Sequence, residues 1–265
     1  MASTLLPFAY PPPSSLFLTA FTAASVVAIP FIGLSEVRGV HLQYSKFWNA
    51  NAAKREARTV PGRTGMVVLY LPALLGGVAS LVMFPDAGLR FLVLRLAVTA
   101  HFLKRVLEVL FLHKITTRMA ADSMVLISFS YFMIATVTIY SLRLSQGLFP
   151  EPSIDLMYPG IALFLIGMIG NFYHHLVLSR LRTKGEKEYK IPKGGLFGLV
   201  ICPHYLFEII DFIGIAFICQ TIYFFAVALN TIAYLAGRSY ATRRWYKSKF
   251  EDFPEGVKAL IPYIF

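Results

Sequence analysis

Between Tyr189 and Glu208 the chain reads Tyr-Lys-Ile-Pro-Lys-Gly-Gly-Leu-Phe-Gly-Leu-Val-Ile-Cys-Pro-His-Tyr-Leu-Phe-Glu. A basic loop with a glycine pair leads into an apolar run that carries His204, Tyr205 and Glu208 close together. In hydrocarbon such groups are costly, and their default reading is functional. Two more clusters lie upstream. On a helix, His101, Arg105 and Glu108 fall on one face at i, i+4 and i+7, with Lys104 beside Glu108. Asn171, Tyr173, His174 and His175 precede Arg180 and Arg182, and Asn171, His175 and Arg182 share a helical face. Downstream, Arg238, Arg243, Arg244, Lys247 and Lys249 interleave with Tyr240, Trp245 and Tyr246. Guanidinium and ammonium groups suit an anionic ligand, phosphate above all, and aromatic side chains suit a planar ring beside it.

Each cluster also has a plainer reading. The 101–108 face could be a positive cap at a membrane edge, with Lys104 or Arg105 paired to Glu108. The 238–249 segment could be a helix facing anionic lipid with an aromatic belt. The glycines of Lys193-Gly194-Gly195 could let backbone N–H groups approach phosphate, or simply make a turn. Neither a GxGxxG after a strand nor a Walker sequence is present, so a soluble nucleotide-binding fold is not expected. His174 and His175 point about 100° apart on a helix, and no carboxylate or second histidine at i+4 completes a set, so no metal is expected.

These groups need a scaffold. The chain has 265 residues, 57% hydrophobic and 15% charged, which points to one integral membrane domain over 1–265. The net charge of +11 does not point to nucleic acid, because the cations cluster between apolar runs. Those runs cover about 15–34, 64–84, 89–112, 123–142 and 157–178, a sixth from about Pro203, and a seventh ending near Tyr246. A tight turn at Cys219-Gln220 separates the last two. Each is near the ~20 residues needed to cross a bilayer, so the expected fold is all-α with seven transmembrane helices. Segments 36–63, 104–118, 180–193 and 236–258 hold 22 of the 25 Lys and Arg. They fall on one side, which places the N-terminus outside and the C-terminus in the cytosol. The exceptions are Arg90, Arg95 and Arg143. Residues 1–34 contain neither Lys nor Arg, so the first run is expected to stay as a spanning helix rather than leave as a signal peptide. Cys202 and Cys219 lie in apolar sequence and read as buried thiols.

From about Leu163 to Phe265 the chain resembles the steroid 5α-reductase family. The resemblance rests on Tyr189-Lys-Ile-Pro-Lys-Gly-Gly-Leu-Phe, Cys202-Pro-His-Tyr, Glu208, Trp245-Tyr246, Phe250-Glu-Asp-Phe-Pro and Ala259-Leu-Ile-Pro-Tyr-Ile-Phe. It implies a seven-helix reductase of the endoplasmic reticulum membrane that uses NADPH to saturate a C=C bond conjugated to a carbonyl. Residues 163–265 would carry the cofactor motifs, with contacts at Arg105, Asn171, Arg182, Tyr189, His204, Glu208 and Tyr246. The implied partners are an apolar steroid or lipid substrate arriving from the bilayer, and membrane lipids.

Two branches of the family meet in this chain. Steroid-type members hold the substrate carbonyl with a Glu on the second helix and a Tyr on the third, where this chain has Tyr70 and Phe102. His101-Phe-Leu-Lys-Arg-Val-Leu-Glu108 and Phe111-Leu-His-Lys114 are similar to the third helix of very-long-chain enoyl-CoA reductases. A 3-oxo-Δ4 steroid and a trans-2-enoyl-CoA are therefore both open as substrate, and a non-catalytic sterol- or lipid-binding protein is the third reading. Tyr70 is the expected carbonyl donor, with Tyr246 as the alternative.

Overall fold

The computed structural model describes residues 7–47, 58–85, 88–181 and 188–265. Seven α-helices run through these residues: α1 (Leu16–Val37), α2 (Gly62–Met83), α3 (Leu89–Leu107), α4 (Ala121–Leu148), α5 (Met157–Arg180), α6 (Pro203–Cys219) and α7 (Ile222–Lys249). α3 continues into one π-helical turn, Glu108–Leu112. Two short strands, β1 (Thr59–Pro61) and β2 (Arg118–Ala120), pair antiparallel with Thr59 opposite Ala120 and Pro61 opposite Arg118. The ribbon ties the starts of α2 and α4 together.

The helix ends follow local chemistry. The Ser15 and Thr221 side chains accept N–H bonds from Leu18 and Phe224, capping α1 and α7. Pro203 opens α6, where its missing N–H costs nothing. Gln220 closes α6 in the left-handed conformation, φ +50°, forming the turn expected at Cys219-Gln220. α1, α2, α4 and α5 are long and apolar enough to cross a membrane. α6 has only 17 residues, and α3 and α7 are diluted by Arg90, Arg95, Lys104 and Arg105, and by Arg238 to Lys249.

Packing brings α5 against α6, α1 against α7, and α2 against both α3 and α4. Small residues allow the close approaches. A Cβ at Gly160 would lie 2.8 Å from the Gly214 carbonyl oxygen, and one at Gly33 would lie 2.8 Å from that of Ala233. The main core joins Leu69, Ala73, Leu94, Val98 and Phe102 to Phe212, Ile215 and Phe224. α1 instead exposes Leu16, Val27 and Phe31, as a lipid-facing helix does.

Two arginines outside the basic segments prove to be structural. Arg90 donates to the Gln220 side chain and Asp155, both at 2.6 Å, and to the Ile218 carbonyl. Arg95 is fully buried and donates to the carbonyls of Ser80 and Phe84. These contacts close the end of the bundle where α3 begins and α6 ends. Cys202 and Cys219 are both buried.

Candidate functional site

The site is built where α2, α3 and α5 meet the start of α6. Arg105, near the end of α3, donates through Nη2 to the Tyr70 hydroxyl of α2 at 2.6 Å. Its Nη1 donates to Glu108 Oε2 at 3.0 Å. The His175 Nδ1 of α5 lies 3.0 Å from the same carboxylate oxygen. Lys104 pairs with Glu108 Oε1 at 3.0 Å and donates to Asn171 Oδ1 at 2.5 Å. Asn171 donates in turn to the His204 carbonyl at 2.8 Å and to Glu208 at 3.4 Å. Tyr70, Arg105, Glu108, Asn171, His175 and Glu208 are all buried. Buried charge persists only when it is paired and hydrogen-bonded, and this network does both.

The π turn matters to this geometry. Its i→i+5 bond runs from the His113 N–H to the Glu108 carbonyl at 2.7 Å. His113 then packs edge-on against His175, with ring centroids 4.9 Å apart. π turns recur where a helix must re-aim side chains at a functional position. Burial, together with the neighbouring His175 and Arg105, pushes the His113 pKa down to about 3. It is therefore neutral at physiological pH.

A cavity of about 260 Å³ is lined by Tyr70, Arg105, His113, Lys114, Arg118, His175, Ser179, Tyr189, His204, Tyr205 and Glu208, with Tyr44, Met66, Met119, Tyr131, Tyr234 and Arg238 among the rest. Lys114, Thr116 and Arg118 are exposed, so the cavity reaches the surface between cations. Its inner wall carries the rings of Tyr70 and Tyr131 beside Met66 and Met119. A chamber of mixed lining, with tyrosine rings, Met66, Ile115, Met119 and Leu178 among many polar groups and a cationic rim, suits an elongated ligand with one anionic and one greasy end.

Of the residues expected from the sequence, Tyr70, Arg105, Tyr189, His204 and Glu208 line this cavity. Asn171 sits behind them and holds Lys104, Glu208 and the His204 backbone. Tyr246 does not line it; it packs with Ile201, Cys202, Phe253 and Val257, its hydroxyl 3.5 Å from the Lys190 carbonyl. Arg182 lies outside the described residues.

Two expectations change. Glu108 and His113 come from another helix to meet His175, so a carboxylate and a second imidazole do gather there, with ligand atoms within 4.8 Å of one another. Glu108 is already met by Lys104 and Arg105, so the arrangement is that of a carboxylate neutralised by two cations. The C-terminal cations are also spent differently. Arg238, though it lines the cavity, pairs with buried Glu36 at 3.0 Å and lies over the rings of Tyr44 and Phe47. Arg243 donates to the carbonyls of Val257 and Glu255, tying down the C-terminal loop. The hydroxyls of Tyr44 and Tyr234, 2.7 Å apart, and the ring of Tyr131 were missed. A tyrosine inside an otherwise apolar run was the signal for Tyr131.

The glycine pair makes a turn before a single 3₁₀ turn, Gly195–Gly198, rather than opening α6 directly. Gly194 and Gly195 have φ of +94° and +53°. His174 Nδ1 donates to the Gly170 carbonyl, and its Nε2 accepts the Leu196 N–H at 3.1 Å. His174 therefore anchors the loop, while its neighbour His175 faces the cavity.

A family model described as 3-oxo-5-alpha-steroid 4-dehydrogenase matches residues 121–265, more than half of the chain. The chain belongs to this family. It is 32% identical over 165 residues to a very-long-chain enoyl-CoA reductase of Dictyostelium discoideum, covering 62% of this chain and 55% of that protein. It is 42% identical over 106 residues to 3-oxo-5-alpha-steroid 4-dehydrogenase 2 of Macaca fascicularis, covering 40% of this chain and 42% of that protein. To 3-oxo-5-alpha-steroid 4-dehydrogenase 1 of Mus musculus it is 29% identical over 244 residues, which is 89% of this chain and 91% of that protein. The first two matches thus span about half, or less, of the relatives' own lengths, and the third spans nearly all of its relative.

Proposed function

We propose that this chain is an NADPH-dependent membrane reductase that saturates a C=C bond conjugated to a carbonyl, with a 3-oxo-Δ4 steroid as substrate. In this reading all seven helices span the endoplasmic reticulum membrane as one domain, with the cofactor motifs in 163–265. The N-terminus is lumenal and the cavity rim and C-terminus are cytosolic. The observation that carries the reading is the Arg105–Tyr70 pair at the inner wall of a cavity whose rim is cationic.

The donor set fits the cofactor by its chemistry. Lys114 and Arg118 at the rim suit phosphate oxygens, and Tyr189, His204 and Tyr205 offer faces to a planar ring. NADPH, when bound, supplies the hydride. Saturation places that hydride on the β-carbon of the substrate and one proton from the medium on the α-carbon. Between the two additions, negative charge collects on the carbonyl oxygen.

The protein's part is to meet that charge. Tyr70 accepts a hydrogen bond from Arg105, so its own O–H is left to donate elsewhere. In this reading it donates to the substrate carbonyl. Arg105 supports the phenol with a fixed positive charge, and Glu108 with His175 holds the guanidinium in place. A phenol here does without a carboxyl proton what the steroid-type Glu does.

A second reading, a trans-2-enoyl-CoA reductase, is supported by the 32% identity over 165 residues to the Dictyostelium enzyme, while the longest of the three matches, 244 residues at 29%, is to the mouse steroid enzyme. The test is NADPH oxidation by purified protein with a 3-oxo-Δ4 steroid and with a long-chain trans-2-enoyl-CoA, side by side. Steroid-dependent oxidation with the 5α-reduced product is expected. Turnover of the thioester alone selects the second reading, and no enone-dependent oxidation overturns both.

A further inference from the structure

The geometry points to Tyr131 as a second hydrogen-bond donor to the substrate carbonyl, forming with Tyr70 a two-phenol cradle for the developing oxyanion. This inference rests on the reductase reading above. Tyr131 lies within α4, on the side that faces α2, and lines the cavity with Tyr70. The two rings are stacked, with centroids 5.5 Å apart and planes 27° from parallel. Phe102 packs edge-on against Tyr131 at 5.6 Å and holds it from the α3 side. The ring is thus fixed on two sides, and its hydroxyl shares a chamber with that of Tyr70.

The hydrogen-bond pattern separates Tyr131 from its neighbours. Tyr44 and Tyr234 pair with each other. Tyr70 takes its bond from Arg105. The Tyr131 hydroxyl has no hydrogen-bond partner among the described residues. A phenol at an apolar wall, without a protein partner, is a group whose hydrogen-bonding capacity is left for a ligand. Met66 and Met119 line the same cavity and supply flexible apolar contact, so it accepts a greasy body with one polar oxygen. Such a ligand is an α,β-unsaturated carbonyl compound with its oxygen between the two phenols. When hydride reaches the β-carbon, the C=C π pair moves between the α-carbon and the carbonyl carbon. The C=O π pair moves onto oxygen, where two O–H donors meet it. Uptake of a proton at the α-carbon then restores the carbonyl.

Tyr131→Phe removes the oxygen and keeps the ring stack. With the enone that the parent reduces, kcat is expected to fall about 10- to 100-fold, while the NADPH Kd and the thermal midpoint stay at parental values. A second readout separates donation from packing. The parent should bind a 3-oxo steroid more tightly than its 3-deoxo analogue, and Tyr131→Phe should lose about 3- to 10-fold of that preference through the 3-oxo ligand alone. An unchanged preference with kcat within about twofold of the parent overturns the assignment of Tyr131 and leaves the reductase reading standing. A parent protein with no enone-dependent oxidation of NADPH overturns the reading beneath it.

Discussion

Arg105 donates to the Tyr70 hydroxyl and to Glu108, and lies 3.3 Å from a ring nitrogen of His175. One guanidinium thus fixes three side chains from three helices, so its loss would disturb binding and chemistry together. His113, at the edge of this cluster, gives a cleaner test of the local field. Its pKa in the folded protein is pushed down to about 3, against about 6.5 for an unperturbed imidazole. Between those values the unfolded chain binds the extra proton, so stability rises with pH through the window and is lost as pH falls below about 6.5. His113→Gln removes the titration. Thermal midpoints of detergent-solubilised protein from pH 6.5 to 4 should fall less steeply in the variant than in the parent. Identical slopes would show that His113 is freely solvated in the fold.

At the scale of elements, the pairing of α1 with α7 rests on close backbone approach and one buried ion pair. Glu36 and Arg238 are each about 1% exposed and 3.0 Å apart, and His41 also contacts Glu36 at 2.6 Å. Removing one partner of a buried pair leaves an uncompensated charge and costs about 3–5 kcal/mol. Glu36→Ala should therefore lower the thermal midpoint sharply. The paired change Glu36→Leu with Arg238→Met should recover most of the loss, because well-packed apolar groups can replace such a pair. A double variant no better than Glu36→Ala would contradict this account. The helices themselves were legible in the sequence, since a run of about twenty apolar residues has few alternatives. The ends of α4 were not, because Ser145, Gln146 and Leu148 continue the helix beyond the apolar stretch. The partner of Arg238 was equally hidden. A buried pair between positions 36 and 238 depends on which helices touch, and no local periodicity encodes that.

For the whole molecule, the charges sort into two classes with different physical roles. Arg90 and Arg95, which break the one-sided distribution of cations, are satisfied inside the bundle by carboxylates and carbonyls. The remaining cations lie mostly in four segments that the proposed topology places on one side, where they set orientation. A single cysteine at exposed Lys193 should react with a membrane-impermeant maleimide from the cytosolic side only. Cys202 and Cys219, being buried, give little background. Labelling from the lumen would invert the proposed topology. The location of the candidate site was legible in outline, because ionisable groups inside apolar runs are expensive. Its wiring was not: Lys104 to Asn171, Glu108 to His175 and Tyr70 to Arg105 each join different helices. The basic C-terminal helix also misled, since Arg238 and Arg243 serve the fold through Glu36 and the C-terminal loop.

The central claim is that the Tyr70 hydroxyl, supported by Arg105, meets the charge that develops on a substrate carbonyl. Tyr70→Phe keeps the ring that stacks on Tyr131 and removes only the donor. Single-turnover oxidation of enzyme-bound NADPH, started by the enone that the parent reduces, reads the chemical step without product release. The account predicts a rate about 10²–10³ lower than the parent's, with NADPH binding unchanged. A rate within about threefold of the parent, only ~0.7 kcal/mol in the barrier, would contradict it and reduce Tyr70 to a packing residue.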